Sequence, residues 1–182
     1  MNIFFLNPDP KICAQEHISK HVVKMILESC QLLSTAHRVI DGSQFIDKTS
    51  NGRNITRYKL EDAREPILYK ATHINHPSAI WCRMTDSNYN WLYRLTAELC
   101  NEYTYRYGKV HKCESLLEDL CFTPNNIPEG PFTDPIPAMP DDLKIPNNVM
   151  ASYHNYYINN KKNFASWQGR VNSRNVPNWF TI

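Results

Sequence analysis

Residues 17–38 have the sequence HISKHVVKMILESCQLLSTAHR, and this stretch decides the fold. At about 100° per residue, the helix that it predicts is apolar on two flanks. One flank holds Ile18, Val22, Met25, Ile26, Leu32, Leu33 and Ala36, and the other holds Val23, Leu27 and Cys30. The narrow polar row between them consists of His17, His21, Lys24, Glu28, Gln31 and Thr35. A helix that is apolar on both flanks is largely buried. We therefore expect this row to lie in a cleft or against another polar element.

The remaining sequence predicts a mainly α fold. A helical pattern covers residues 11–40, with a break near residues 16–19, and a second helix is expected over 86–107, where Gly108 ends it. Shorter helices are expected over 114–120 and 148–167, and residues 2–6 predict a short strand or an extended arm. We predict one domain over residues 1–182, a compact helical bundle with long irregular loops.

Three segments complete the predicted domain. Residues 42–75 are polar and predict an irregular loop, within which a hairpin can form across residues 44–59. Residues 122–148 hold seven of the twelve prolines and predict an extended Pro-rich wrap over the surface. Residues 148–182 are expected to form a C-terminal helix and a tail.

Composition restricts the function. Twenty Lys and Arg against eighteen Asp and Glu give a formal charge of +2, which excludes a globally basic chromatin-type protein. There is no secretory signal and no run of about 20 apolar residues, so we expect a cytoplasmic protein without a membrane partner. The six cysteines lack paired C-x-x-C spacing and are expected to be reduced thiols. We expect a monomer.

The polar row of the first helix has two interpretations. His21 and Lys24 are spaced i,i+3, and Lys24 and Glu28 are spaced i,i+4, so these side chains can contact one another. They form either a solvated face with one ordinary ion pair or a catalytic or ligand-binding line. His17 and His21 have the spacing of metal ligands, but the segment lacks the glutamate of H-E-x-x-H. We therefore predict no metal site and no cofactor.

Cations that accompany aromatic residues are candidates for contacts with nucleic acid. These candidates are Arg38, His76, Arg83, Arg106, Lys109, Lys161 and Lys162. The alternative is structural: His76 and Arg83 lie near two tryptophans that can belong to the core, and Arg106 and Lys109 lie at a helix C-terminus, which favours cations in any case. The tyrosines near Lys161 also have the spacing of core residues.

These motifs together resemble the pyrimidine-dimer DNA glycosylase (endonuclease V-like) family. The resemblance rests on Lys20-His21 followed by Glu28, on the Ala36–Gly42 segment, on His76-Pro77, and on Arg106-Tyr107-Gly108 after Glu98 and Glu102. The chain also resembles phage-encoded proteins of unassigned role, which would place it in an infected host cell. The family is compact and helical, and its first long helix carries a histidine and, seven residues on, the catalytic glutamate.

The resemblance implies a DNA glycosylase with AP lyase activity on damaged or modified pyrimidines in double-stranded DNA. In that chemistry an N-terminal amine attacks C1′ of a flipped-out nucleotide and forms a Schiff base, and a glutamate moves protons. Here the glutamate would be Glu28, with His21 beside it. Because Asn2 is expected to leave Met1 in place, the nucleophile would be the amine of Met1 or of Lys24. Leu27 and Gln31 occupy positions at which the family carries arginines.

Two other functions are consistent with the sequence. The first is a non-catalytic DNA-binding or host-modulating phage protein on the same scaffold, which would tolerate the loss of Glu28. The second is a nucleotide-processing enzyme that uses the line of His17, His21 and Glu28 on a small substrate.

Overall fold

The computed structural model describes residues 1–180, and within them it contains six α-helices and one two-stranded antiparallel sheet. The elements are α1 (Pro10–Glu16), α2 (Ser19–Asp41), β1 (Ser43–Lys48), β2 (Asn54–Lys59), α3 (Pro77–Cys82), α4 (Asp86–Tyr107), α5 (Leu117–Leu120) and α6 (Val149–Asn160). Short 3₁₀ turns cover Lys112–Leu116, Asp141–Leu143 and Lys162–Phe164. The last two residues of the predicted tail lie outside the described residues.

The prediction of a mainly α fold, a compact helical bundle with long irregular loops, is wrong, because the chain is a small mixed α/β domain. Residues 42–75 are not irregular throughout: β1 and β2 pair in antiparallel register, with Ser43 opposite Lys59 and Lys48 opposite Asn54. Gly52 takes a positive φ of 79° in the connecting turn. The hairpin that the sequence allowed across residues 44–59 is thus present. The sequence did not require it, because every residue of β1 is exposed, so the alternation of apolar and polar residues that marks a half-buried strand is absent.

Helices α2 and α4 form the centre of the domain and pack against each other. The predicted break falls between α1 and α2, where His17 and Ile18 are extended. The predicted helix over 86–107 is confirmed: Thr85 caps its start, and Gly108 ends it in the left-handed region at φ 65°. Ile18, just before α2, and the apolar residues of α2 at positions 22, 25, 26, 32, 33 and 36 are all buried, as expected for the broad flank. The burial predicted for the other flank is wrong for Val23 and Leu27, which are 39% and 38% exposed.

The first residues form a buried extended arm that adds no strand to the sheet. Ile3, Phe4, Phe5 and Leu6 all belong to the core. Since this arm fills the space between α2 and the C-terminal part of the chain, it brings the N-terminus of the chain to the middle of α2.

The Pro-rich segment 122–148 is extended and is held to the body by hydrogen bonds. The indole of Trp81 donates to the carbonyl of Thr133 (2.8 Å), and the Asn88 side chain accepts from the Thr133 amide (2.9 Å). The last helix is shorter than predicted, since α6 ends at Asn160. The following tail packs back onto the body through Trp179, whose ring stacks on His154 with centroids 3.9 Å apart.

Candidate functional site

The N-terminal amine and Glu28 lie side by side. The Met1 nitrogen is 4.0 Å from Oε2 of Glu28, and the backbone amide of Asn2 donates to the same oxygen at 3.1 Å. Lys24, one turn earlier on α2, places its Nζ 3.2 Å from Oε1. Only 14% of the Glu28 side chain is exposed, whereas 68% of the Lys24 side chain is. A carboxylate thus lies between two amines at the edge of the core, with limited access to water.

Asn2 fixes the terminus in this position. Its side-chain oxygen accepts from the amides of Ile3 (2.8 Å) and Phe4 (3.3 Å) and from the hydroxyl of Tyr153 (2.8 Å). Its side-chain nitrogen donates to the carbonyl of Ala138 at 2.8 Å. Phe4 has a positive φ of 53°, a costly conformation for a bulky residue that the surrounding packing must hold. The terminal amine is therefore held in one place before any ligand binds.

His21 does not contact Glu28 through any described hydrogen bond. It stacks on the ring of Phe4 (centroids 4.2 Å apart), and its Nδ1 lies 2.7 Å from the hydroxyl of Tyr157. Burial, together with His17 and the cations Lys161 and Lys24, lowers the pKa of His21 to about 2. The ring is therefore neutral, and it supports the arm that carries Met1. We correct its predicted catalytic role to a positioning one.

Two other residues of the polar row, His17 and Thr35, are buried. His17 is fully buried, and its Nδ1 lies 2.7 Å from the carbonyl of Cys13. Burial lowers the pKa of His17 to about 4. The line of His17, His21 and Glu28 that a nucleotide-processing enzyme would need is thus not assembled around one open site. Thr35 exchanges hydrogen bonds with the backbone of Thr72, at 3.2 and 3.4 Å.

Residues 69–76 run beside the polar row, where Thr72 bonds to Thr35. Burial lowers the pKa of His76, as does the positive charge of the Met1 amine, whereas the charge of Glu28 raises it. Nδ1 of His76 accepts from the Ser78 amide at 3.2 Å, so Nε2 carries the proton of the neutral ring. His73 is exposed and also acts on the pKa of His76. The structure thus brings the predicted residues Met1, Lys24 and Glu28 together.

Cations and aromatic rings continue this surface toward the C-terminal helix. Lys161 lies 4.4 Å from the ring centre of Tyr156 and acts on the pKa of His21. Lys20 lies 5.0 Å from the ring centre of Phe164, which also packs against His21. Cations that lie over aromatic rings are frequent on nucleic-acid faces. Lys20 and Phe164 were missed as candidates from the sequence, although i,i+4 spacing from Lys24 is a signal that could have identified Lys20.

Arg38 cannot contact a phosphate in this structure, which corrects the prediction. It is buried and donates to the carbonyls of Tyr69, Leu68, Glu65 and Tyr58 and to the carboxylate of Glu65 (2.6 Å). All five guanidinium N–H groups are thereby used. Arg38 ties the segment after the hairpin to α2.

Arg106 is likewise a structural residue, and its predicted DNA contact is corrected. It is fully buried, pairs with Glu102 at 2.6 Å, and donates to the backbone carbonyls of His17 and Gln15. Arg174 from the tail pairs with the second oxygen of Glu102 at 2.9 Å. This buried cluster joins α4, the α1–α2 junction and the tail. The C-terminus of a helix favours a cation such as Arg106. Its partners here, however, are set by how α4 packs against the rest of the chain.

The other predicted cations differ in exposure. Arg83 is half-buried, burial lowers its pKa, and its Nη1 lacks a hydrogen-bond partner among the described residues. Lys109 and Lys162 are exposed. No described contact connects Arg83 or Lys109 with Glu28, so these two stay outside the group of residues that surround the terminal amine.

One cavity, of about 370 Å³, is lined by α1 residues and by residues 174–178 of the tail, without Met1 or Glu28. Among residues 1–180 no group of three or more His, Cys, Asp or Glu side chains has the arrangement of a metal site. None of the helices in the described part of the chain combines the length and apolar character needed to cross a membrane.

The arrangement can therefore hold a primary amine against a carboxylate, with a second amine beside them, on a surface edged by cations and rings. Such a group is suited to attack by an amine on an electrophilic carbon and to proton transfer at that carbon. Comparisons of the chain with protein-family models, with curated proteins and with solved structures found no match.

Proposed function

We propose that this chain is a DNA glycosylase with AP lyase activity that acts on damaged or modified pyrimidines in double-stranded DNA. The observation that carries the proposal is the contact between the chain's first amine and Glu28, with 4.0 Å between the Met1 nitrogen and Oε2. The family resemblance of the α2 sequence assigns the same two groups to nucleophile and acid–base catalyst.

The proposed reaction begins with the neutral amine. Its lone pair forms a bond to C1′ of the target nucleotide, and the bond from C1′ to the base breaks, with its electron pair leaving on the base. Glu28 accepts one amine proton and delivers it to O4′, so that the sugar ring opens and a protonated Schiff base forms. Loss of a proton from C2′ then expels the 3′ phosphate, and water later releases the amine. An α-amine is a weaker base than a lysine amine as a class, so a larger fraction of it is neutral near pH 7.

The surroundings of Met1 support the assignment of its amine as the nucleophile, because they hold that amine in place. Four side-chain hydrogen bonds of Asn2 fix the neighbouring residue, which reduces the entropy lost in reaching an attacking geometry. The cations Lys20, Lys24 and Lys161 are suited to phosphates on both sides of a target nucleotide.

The test is reductive trapping with borohydride on a duplex that contains an abasic site or a pyrimidine dimer. We expect a covalent adduct, and peptide mapping should place it on the α-amine of Met1. An adduct on Lys24 would keep the reaction class and reassign the nucleophile. Glu28→Gln should abolish strand scission but retain DNA binding, and Glu98→Gln is a matched control on α4. Absence of an adduct from folded protein, with salt-dependent DNA binding and tolerance of Glu28→Gln, would instead indicate the non-catalytic DNA-binding protein.

A further inference from the structure

The hairpin of residues 43–59 projects from the helical body as a two-stranded ribbon. Among the described residues its strands pair only with each other, and all six residues of β1 are exposed. It is attached at its base, where Arg38 donates to the carbonyl of Tyr58 (3.2 Å) and the amide of Leu60 donates to Glu65 (2.8 Å). An isolated two-stranded hairpin is marginally stable at best, and these contacts hold its base in a fixed position on α2.

The positive charge of the chain is concentrated in this ribbon. It carries Lys48, Arg53, Arg57 and Lys59 against a single anion, Asp47, so its formal charge is +3. The whole chain carries +2, so the other residues sum to −1. Asp47 neutralises only part of this charge, through a contact of 3.7 Å with Arg57. A basic segment on a nearly neutral body favours a polyanion as its partner.

The ribbon also exposes apolar side chains on both of its faces. Phe45 is 44% exposed and Ile46 is 61% exposed, and as neighbours in one strand they point to opposite faces. The face with Phe45 lies toward the body, since Phe45 lines a small cavity with Arg38 and Glu65, whereas Ile46 belongs to the opposite face. Side chains of this kind insert between base steps in many DNA complexes, and the major groove of B-DNA is wide enough for a two-stranded ribbon.

The ribbon begins directly after α2, the helix that carries Glu28. Residues 69–76 run along this helix: Thr72 bonds to Thr35, and the Tyr69 carbonyl accepts from Arg38 at the base of the hairpin. Along the helix axis, Glu28 and the end of α2 are about 20 Å apart, at 1.5 Å per residue. That distance corresponds to about six base pairs of a duplex at 3.4 Å per step.

We propose that the hairpin of residues 43–59 is a second DNA-contacting element, which enters a groove of the same duplex whose target nucleotide reaches Glu28. This proposal rests on the proposed function for its choice of partner. Lys48 and Arg53, near the turn, contact phosphates, and Ile46 contacts the groove. The element adds duplex affinity and fixes where on the DNA the reactive amine is placed.

The experiment measures binding of a fluorescent duplex by anisotropy between 50 and 200 mM salt. All proteins carry Glu28→Gln, so that no turnover occurs. The double variant Lys48→Gln/Arg53→Gln should lower the slope of log K against log salt by about 1.8 and weaken binding about 30-fold at 0.15 M salt, at a slope of about 0.9 per phosphate contact. Lys11→Gln/Arg94→Gln, on α1 and α4, removes the same charge and should change neither value. Ile46→Ser should weaken binding and leave the slope unchanged.

Each other outcome is decisive for one of the two proposals. Equal affinity and slope for the Lys48/Arg53 variant overturns the role of the hairpin and leaves the trapping experiment intact. Hairpin-dependent binding by a chain that forms no borohydride adduct supports the hairpin and overturns the chemistry. Sedimentation can show that the unsubstituted chain self-associates and that Ile46→Ser makes it monomeric. If DNA affinity is unchanged in that case, the ribbon is a protein-binding surface and the proposal is wrong. Failure of the chain to bind duplex DNA overturns both.

Discussion

Acidification from pH 7.5 to pH 5 should remove a large part of the stability of this domain, because three neutral histidines are buried in it. His17 and His37 have no exposed surface, and His21 has little. Burial lowers the pKa of His17 to about 4 and that of His37 to about 4, and the pKa of His21 falls to about 2. Arg64 contributes at His37, where its guanidinium lies 2.8 Å from Nδ1.

The sign follows from proton uptake. In the unfolded chain each histidine titrates near 6.5, whereas in the folded chain it stays neutral until pH 4 or below. The unfolded state therefore binds more protons in this window, so stability is complete above pH 6.5 and falls as the pH decreases toward 4. At pH 5 each histidine costs about 2 kcal/mol by linkage, or about 6 kcal/mol for the three. A domain of this size has about 5–15 kcal/mol in total.

Chemical unfolding followed by tryptophan fluorescence at pH 7.5, 6.5, 5.5 and 5.0 gives the free energy of unfolding directly. We expect most of the loss between pH 6.5 and 5.0, above the range in which carboxylates titrate. His37→Gln should lower the dependence on pH by about a third, because one titrating group is removed. His73→Gln, at an exposed position, should leave the dependence unchanged. A free energy of unfolding that is constant within about 1 kcal/mol from pH 7.5 to 5.0 would refute the reasoning.

Other substitutions test the terminus and the buried ion pair. Glu28→Gln should reduce strand scission at least 100-fold, the typical contribution of general acid–base catalysis, as measured in single-turnover assays. Asn2→Ala frees the chain terminus and should lower the yield of the borohydride adduct while duplex binding by anisotropy is retained; an unchanged yield would show that Asn2 does not position the amine. Arg106→Met should cost about 3–5 kcal/mol in chemical denaturation, since it leaves Glu102 with one partner fewer in the core. Lys109→Met, three residues later and exposed, should change the stability by less than about 0.5 kcal/mol.

The local sequence determined the main helices and the position of the candidate carboxylate. The broad apolar flank of residues 17–38 predicts a helix that packs on the core, which places Glu28 at the edge of that core, but the other flank is only partly covered, since Val23 and Leu27 are 39% and 38% exposed. Gly108 ends α4 where expected, because a left-handed residue at that position favours glycine. Such features depend on residues within a few positions of each other, so periodicity and capping are sufficient to predict them.

Only the tertiary structure decided which charged groups are available and what they contact. In the sequence Arg38 and Arg106 are candidate site residues in the same way as Lys24. In the structure, however, their guanidinium groups donate hydrogen bonds to backbone carbonyls of distant residues. His21 hydrogen-bonds to a tyrosine 136 positions away. The Met1 amine lies beside Glu28, although all of α1 separates the two residues along the chain. These partners are set by how the chain packs, and no local pattern encodes that packing. For the same reason the sequence indicated the exposed hairpin only as an option within a loop, since a strand without a buried face has no alternation to detect.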